Sequence, residues 1–177
     1  LNGLPELNRL SDGLILIPHG NLGQPLRTAV SLRQALRYSD IQIQHTVTSI
    51  VDSINLPGLV NYDVDDLRWA MKGTGICVTG SATAHGADRA RIASRDLLNH
   101  LSLQVARPDQ WHWQNMLVRI TASPTLELRE YRHVMRILRN RAVEDTAVLV
   151  SLFLDDSMDD QLRVTAVANG QSQFTPA

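Results

Sequence analysis

The feature that most limits the fold of this chain is a long helical repeat of apolar residues over residues 28–54. Apolar side chains recur there at steps of three and four residues, which is the spacing of one face of an α-helix. At 1.5 Å per residue, such a helix is about 40 Å long, which exceeds the usual helix of a globular domain. We therefore expect a spine that lies between two lobes. The repeat consists of Leu32, Ala35, Leu36, Ile43, Val47, Ile50, Val51 and Ile54.

After this spine, the periodicity predicts the order helix, strand, helix, strand, helix, strand, strand. The helices are expected at about residues 64–71, 86–101 and 126–141, and the strands at 76–82, 116–122, 147–154 and 162–168. Gly80 is expected to break the first of these strands, and residues 104–114 read as a loop. This order predicts an α/β (α+β) fold in which helices pack on a four-stranded mixed sheet that ends in an antiparallel hairpin.

A short apolar run at residues 14–17 precedes the spine and predicts a buried, parallel strand. No strand partner follows nearby along the chain, so we expect an orphan strand from a domain that lies elsewhere. The chain opens at Leu1 rather than at methionine. Both observations favour a piece of a longer protein, and a processed protein is the alternative.

The composition narrows the class of protein. Of 177 residues, 44% are hydrophobic, which is enough for one core of ordinary size. The net charge of −1 gives no general attraction to nucleic acid or membranes. Cys77 is the only cysteine, which excludes an internal disulfide and fits a reducing compartment. No apolar run is long enough to cross a bilayer, so we expect a cytoplasmic protein without nucleic acid partners or direct membrane contact.

Two carboxylates three residues apart form the candidate functional site. Asp63 and Asp66 stand at the start of a predicted helix, after a turn at residues 56–59. That spacing places both side chains on one side of the first helical turn. Two fixed anions can orient and polarise a water molecule, as hydrolysis of a nucleotide's terminal phosphate requires. The alternative is that Asp63 only caps the helix and that Asp66 is only stabilised by the helix dipole. Spacing alone favours this capping alternative.

Other polar clusters favour structural roles. The four carboxylates within residues 155–160 lack the glycine and the ligand spacing of a calcium loop, so a solvated turn is expected. The Trp-His-Trp run at 111–113 supplies one histidine and no metal ligand set. We therefore predict no metal site. Four arginines of one predicted helix indicate a solvated face or, alternatively, a surface for an acidic partner. They are Arg129, Arg132, Arg136 and Arg139.

Several ordered motifs together resemble the FtsZ family, the bacterial tubulin-like proteins of cell division. The acidic stretch is similar to the family's synergy loop, Asn-x-Asp-x-x-Asp, and further motifs follow at matching distances. They are Pro57-Gly58-Leu59 before the acids, Asn61, Asp63 and Asp66 in the loop, Gly86-Ala87-Asp88-Arg89-Ala90, Ile120-Thr121-Ala122, and the run from Met158 to Thr165. The resemblance covers about residues 12–170 and identifies the C-terminal half of such a protein.

The resemblance implies a division into parts. Residues 1–27 would be a remnant of the nucleotide-binding domain, 28–60 the core helix and its linker, and 61–170 the C-terminal activation domain. Residues 171–177 would be a disordered tail. In this family each subunit supplies half of an active site. The resemblance therefore implies that Asp63 and Asp66 orient the attacking water and that Asn61 supports the loop near the phosphate.

The nucleotide, by the same resemblance, is GTP held by an adjacent subunit. The family's phosphate loop lies upstream and is absent from this chain. The family's guanine-contact positions fall here on His19, Leu36 and Ile41, where the family has Asn, Phe and Asp. Leucine cannot stack as an aromatic ring does, and isoleucine cannot accept a hydrogen bond from guanine. We therefore expect no nucleotide-binding residues in this chain, and no activity from the chain alone.

Three functions remain open at this point. The first is the activation half of a cell-division GTPase that forms head-to-tail filaments with other FtsZ-like subunits at the division site. The second is a non-catalytic filament-binding or capping module, because one filament face is kept and the pocket face is not. The third is a free-standing hydrolase, but the chain supplies no nucleophile with a base, no metal set and no substrate cradle.

Overall fold

The computed structural model describes residues 3–17, 31–71, 76–105 and 112–171. Within these ranges, helices pack on one mixed sheet, so the predicted α/β (α+β) class is confirmed. The helices are α1 (Leu4–Leu10), α2 (Leu32–Asn55), α3 (Val64–Met71), α4 (Arg89–Ser102) and α5 (Leu128–Arg139). The strands are β1 (Leu14–Leu16), β2 (Ile76–His85), β3 (His112–Ala122), β4 (Ala142–Leu154) and β5 (Gln161–Gln171).

The sheet has five strands rather than four, in the order β1-β2-β5-β3-β4. The additional strand is β1, which pairs in parallel with the start of β2, with Ile15 opposite Cys77. The parallel pairing was predicted correctly. The expectation of an orphan strand was wrong, because the partner of β1 begins sixty residues later and a search along the chain for nearby partners cannot find it.

The predicted closing hairpin was also wrong. β4 and β5 follow each other in the chain but are not neighbours in the sheet, because β5 lies between β2 and β3 and is antiparallel to both. β4 instead lies at the sheet edge and pairs in parallel with β3 through the α5 crossover. The turn over Asp156–Met158 carries the chain past the end of β3, where the Asp155 amide donates to the Ala122 carbonyl oxygen at 2.9 Å.

The strands extend further than their local sequence predicts. β2 continues through Gly80, which pairs with Ala166, and the predicted break is therefore wrong. A Cβ at Gly80 would lie 3.2 Å from the Cβ of His100 and 3.3 Å from Cδ1 of Leu97, so glycine lets α4 pack close to the sheet. β3 begins at His112, inside the predicted loop, because β5 continues to pair with it there. Pairing with a neighbour sets these strand ends.

The spine α2 begins later than the predicted position, because a capping box defines its start. The Ser31 side chain accepts a hydrogen bond from the Gln34 amide, and the Gln34 side chain accepts one from the Ser31 amide at 2.8 Å. Ser31 itself is in an extended conformation. At the other end the helix stops at Asn55, and Leu56 returns to an extended conformation.

The two sides of α2 have an unexpected distribution of residues. The residues that are buried against the sheet are small and polar, namely Ser39, Thr46, Ser49 and Ser53. The apolar repeat that predicted the helix lies largely on the other side: Leu36, Val47 and Val51 are 48%, 54% and 47% exposed. A helix usually turns its apolar stripe towards the core. The described residues therefore leave the apolar side of α2 uncovered.

Hydroxyl groups join α2 to the sheet. Thr46 shares a 2.7 Å hydrogen bond with Thr79 of β2, and Ser53 shares one of 2.6 Å with Ser151 of β4. His45 lies 3.1 Å from the Ser81 hydroxyl. Burial and the positive charge of Arg163 lower the pKa of His45 to about 4, so the ring is neutral at pH 7. This hydroxyl seam attaches the spine by directional bonds, which specify its position along the sheet.

The hydroxyl seam predicts that, on α2, replacing a small polar residue destabilises the protein more than replacing an apolar one. Ser53→Ala should lower the free energy of unfolding by about 1–3 kcal/mol, because it removes a buried hydrogen-bond partner of Ser151. Val47→Ala, on the exposed apolar side, should change it by less than about 0.5 kcal/mol. Urea denaturation of both variants tests this. An equal loss for the two substitutions would show that the apolar side of α2 is buried instead.

Candidate functional site: an acid loop at the end of the spine

The acid loop, residues 61–66, lies after the spine, includes the first residues of α3 and is held beside the edge strand β4. Just before it, the Leu59 amide donates to the Leu152 carbonyl oxygen at 2.9 Å, and the Leu152 amide donates to the Val60 carbonyl oxygen at 2.8 Å. This isolated antiparallel bridge covers part of the free edge of β4. It also fixes where the loop leaves the sheet.

Gly58 and Asn61 shape the approach to the acids. The Asn61 side-chain amide donates to the Leu56 carbonyl oxygen at 2.9 Å, which closes the turn after α2. A Cβ at Gly58 would lie 2.6 Å from Oδ1 of Asn61 and 2.7 Å from the Leu152 carbonyl oxygen, so this position requires glycine. Asn61, predicted to support the loop, therefore makes a contact within its own chain that shapes the loop.

Asp63 and Asp66 form a reciprocal capping pair at the start of α3. The Asp66 amide donates to Oδ1 of Asp63 at 2.8 Å, and the Asp63 amide donates to Oδ2 of Asp66 at 3.1 Å. The Asp63 carbonyl oxygen accepts the first helical bond, from Leu67, at 3.0 Å. Asp63 and Asp66 therefore do cap the start of α3. Each carboxylate uses one oxygen for it, which leaves the other oxygen free of these bonds.

The acid pair faces outward. Asp63 is exposed and Asp66 is half-buried. Asp65 between them forms an exposed salt bridge with Arg68 at 2.9 Å. Within the part of the chain that the structure describes, neither Asp63 nor Asp66 forms a salt bridge. The site thus presents two charges, held by the backbone, that no described side chain neutralises.

Exposed apolar side chains lie close to the acid pair along the chain, and they were not predicted to be part of the site. Leu59, Val60 and Val64 are 67%, 41% and 40% exposed, and Trp69 is 57% exposed. Trp69 follows Asp66 by three residues on α3 and so lies beside it on the helix surface. Exposed apolar residues around fixed charges are typical of an interaction surface. A signal was present in the sequence, since Trp69 interrupts the polar side of a short amphipathic helix.

The family's guanine-contact positions do not come together at this site. Leu36 is near the start of α2 and Ile41 lies further along it, and both are exposed. His19 lies outside the described residues, as do Trp111 and residues 172–177 of the predicted tail. Residue 171 ends β5, so the predicted tail began one residue too early.

The Gly86–Ala90 motif has a structural role in this chain. Gly86 adopts φ +80°, and its amide donates to Oδ2 of Asp160 at 3.2 Å. Arg89 is buried and pairs bidentately with Glu130, with 2.7 and 3.0 Å between the atoms. This pair joins α4 to α5, and its hydrogen bonds hold the pKa of Glu130 below its usual value.

The remaining clusters also have structural explanations. Asp155 accepts hydrogen bonds from the amide and hydroxyl of Ser157, which forms the predicted acidic turn. The described residues contain no group of three or more possible metal ligands. Trp113 and Cys77 are buried. The α5 arginines are exposed, which fits both a solvated face and a surface for an acidic partner. None of the described helices combines the length and the hydrophobicity that a bilayer crossing requires.

A long helix that leads into an exposed acid loop and a mixed sheet with packed helices is the tubulin/FtsZ C-terminal type of fold. Comparison with solved structures agrees. The chain superposes on an FtsZ tryptophan-to-tyrosine mutant from M. jannaschii with a TM-score of 0.84 and 25% identity, covering 96% of this chain and 50% of that one. An empty FtsZ dimer from M. jannaschii gives the same score and identity, covering 96% and 48%.

Residues 70–172 match the model of the FtsZ family, C-terminal domain. Over 173 residues, or 95% of this chain, it is 32% identical to the cell division protein FtsZ of Buchnera aphidicola subsp. Baizongia pistaciae (strain Bp) and 34% identical to that of Wigglesworthia glossinidia brevipalpis. The chain belongs to the FtsZ family. It spans 43% of the length of each of these relatives.

The capping geometry predicts how the acid loop responds to substitution. Asp63→Ala should lower the free energy of unfolding by about 1 kcal/mol, whereas Asp63→Ser, which can still cap, should leave it nearly unchanged. Asp65→Ala removes only an exposed salt bridge and serves as the control, with an expected change below about 0.5 kcal/mol. Urea denaturation measures all three. A loss for Ser as large as that for Ala would contradict the capping role.

Proposed function

We propose that this chain is the activation half of a filament-forming GTPase and that it supplies Asp63 and Asp66 to GTP bound by an adjacent subunit. The observation that carries this proposal is the outward presentation of two backbone-held carboxylates that no described cation neutralises. Membership of the FtsZ family supports it, since the loop pattern Asn-x-Asp-x-x-Asp recurs here at Asn61, Asp63 and Asp66. The expected location is the cytoplasm at the division site.

The chemistry assigned to the acids is the placement of a water molecule. Asp63 and Asp66 each have one oxygen engaged in the capping pair, so neither carboxylate has to be ordered when the partner arrives. The second oxygen of each can accept a hydrogen bond from a water that faces the γ-phosphate of the neighbouring GTP. Because this arrangement needs a nucleotide from another molecule, the chain alone is expected to be inactive.

The uncovered side of α2 supports the proposed division of the chain. In this proposal residues 28–60 form a core helix and linker, and residues 61–170 form the activation domain. A nucleotide-binding half, of which residues 1–27 would be a remnant, would pack on the exposed apolar side around Leu36 and Val47. The helix would then have a polar side for one lobe and an apolar side for the other.

The acid pair can be tested in a two-component assay. The chain is added to an FtsZ subunit that binds GTP but whose own two loop acids have been replaced by alanine. The wild-type chain should restore phosphate release. The double variant Asp63→Asn with Asp66→Asn should reduce that release by about 100-fold or more, because loss of positioned acid–base groups has effects of this size.

Two features make this assay specific. Asparagine retains a side-chain oxygen for capping, so the double variant should keep the stability of the wild-type chain. Asp65→Asn, in the same loop, removes an exposed charge that the proposal does not use, and it should leave phosphate release unchanged. Equal turnover with the double variant and the wild-type chain would refute the role of the acid pair.

A second function is favoured by one observation, the residues at the guanine-contact positions. Leu36 and Ile41 can neither stack on guanine nor accept its hydrogen bonds, so the chain would provide the acid face of a filament contact without a pocket face. Such a piece would bind one filament end and stop growth there.

The capping function predicts a different outcome from the catalytic one. At a few chains per hundred subunits, filaments of a GTP-binding FtsZ should become shorter in electron micrographs while phosphate release per subunit stays constant. The Asp63→Asn, Asp66→Asn variant should shorten them equally if the chain only caps. Unchanged filament length with increased phosphate release would exclude the capping module.

A further inference from the structure

One residue of the acid loop is buried although its neighbours on both sides are exposed. Tyr62 is 4% exposed, whereas Asn61 and Asp63 on either side of it face solvent. An inward side chain between two outward ones is the position from which a loop can be anchored. The acids are attached to the rest of the protein through the bridge at Leu59 and Val60, through α3, whose Ala70 carbonyl oxygen accepts hydrogen bonds from Asn115 and Asn169, and through this residue's packing.

The Tyr62 ring belongs to the smaller of the two core clusters. Its buried neighbours there come from α3, β2, β3 and β5, and they are Ala70, Cys77, Leu117 and Val167. Ile50 of α2 packs against the same cluster. The ring therefore contacts the layer between the sheet and the two helices that flank the acid loop. An aromatic ring fills such a site with little loss of conformational entropy, because it has only two side-chain torsions.

The Tyr62 hydroxyl lies beside the Ser53–Ser151 contact of the hydroxyl seam, near the C-terminal end of α2. It donates to the Ser49 carbonyl oxygen of α2 at 3.5 Å. The Ser53 hydroxyl donates to the same carbonyl oxygen at 2.5 Å and shares a 2.6 Å bond with Ser151. Burial raises the pKa of Tyr62, and hydrogen bonds to Ser53 and Ser151 partly offset that effect. One buried cluster of oxygens thus joins α2, β4 and the acid loop.

A charged contact beside this cluster holds the same stretch of α2. Arg119 of β3 pairs with Asp52 at 3.1 Å and donates to the Thr48 carbonyl oxygen at 3.3 Å. Its guanidinium lies 4.0 Å from the centre of the Phe153 ring. The residues of α2 that contribute to the oxygen cluster, Ser49 and Ser53, are therefore adjacent to residues that Arg119 of the sheet also binds.

We propose that Tyr62 is a positioning residue, which fixes the outward direction of Asp63 and Asp66 by fastening the acid loop to α2 and β4. This inference rests on the proposed function for its effect on turnover, but its structural content is independent of it. The ring sets the depth of the loop, and the hydroxyl sets its position relative to the spine. Loss of the hydroxyl alone should loosen the acid pair without unfolding the domain.

Tyr62→Phe tests the inference, because phenylalanine keeps the ring and removes only the hydroxyl. Hydrogen–deuterium exchange of the isolated chain should show about threefold to tenfold faster exchange at the amides of residues 63–67, the size expected from loss of one hydrogen bond. In the two-component GTP assay the maximal turnover should fall by a similar factor. The chain concentration for half-maximal turnover should not change, because the contact surface remains.

Tyr131→Phe is the matched control, since Tyr131 lies on α5 and packs against the larger core cluster. It should alter neither the exchange of residues 63–67 nor turnover. Unchanged exchange in Tyr62→Phe would overturn the inference, and so would faster exchange with full turnover. A wild-type chain without any turnover would refute the proposed function instead, and the exchange result would still decide whether Tyr62 anchors the loop.

Discussion

The position of α2 on the sheet is the constraint on which the rest of the structure depends. It is set mainly by polar contacts, with the hydroxyl pairs of Thr46 with Thr79 and of Ser53 with Ser151 as the central ones, and Ile50 adds apolar packing. Apolar contacts tolerate sliding, whereas hydrogen bonds between short side chains have a narrow range of distances. A spine attached in this way has a defined register along the sheet. Because only a short turn separates the end of the spine from the acid loop, that register also influences where the acids lie.

Capping and catalysis are compatible in the acid loop. The reciprocal bonds of Asp63 and Asp66 explain the spacing by helix geometry alone, yet the same bonds hold both carboxylates in place before any partner arrives. A catalytic group is most effective when its orientation does not have to be established during the reaction. The exposed apolar residues around the pair, Trp69 above all, extend the same surface beyond the two charges.

Local sequence identified what depends on local interactions. The bounds of α3, the acidic turn near Asp155 and the capping pair all followed from residues within a few positions of one another. The errors concerned contacts between distant parts of the chain. These errors were the partner of β1, the insertion of β5 between β2 and β3, and the continuation of β2 through Gly80. Each depends on a strand that is distant in sequence, and a local residue pattern carries no information about it. Tyr62 was overlooked as an anchor for the same reason, since its contacts lie on α2, β4 and the sheet.

The sequence alone predicted every described helix except α1, most strands, the acid pair and the family, because periodicity, capping residues and ordered motifs are properties of the chain itself. The tertiary structure decided which side of α2 meets the sheet. Periodicity shows that a helix has two unlike sides, but only the residues opposite it decide which side is covered. Here the sheet presents Thr79, Ser81 and Ser151, so the hydroxyl side of α2 packs inward and the apolar side stays exposed.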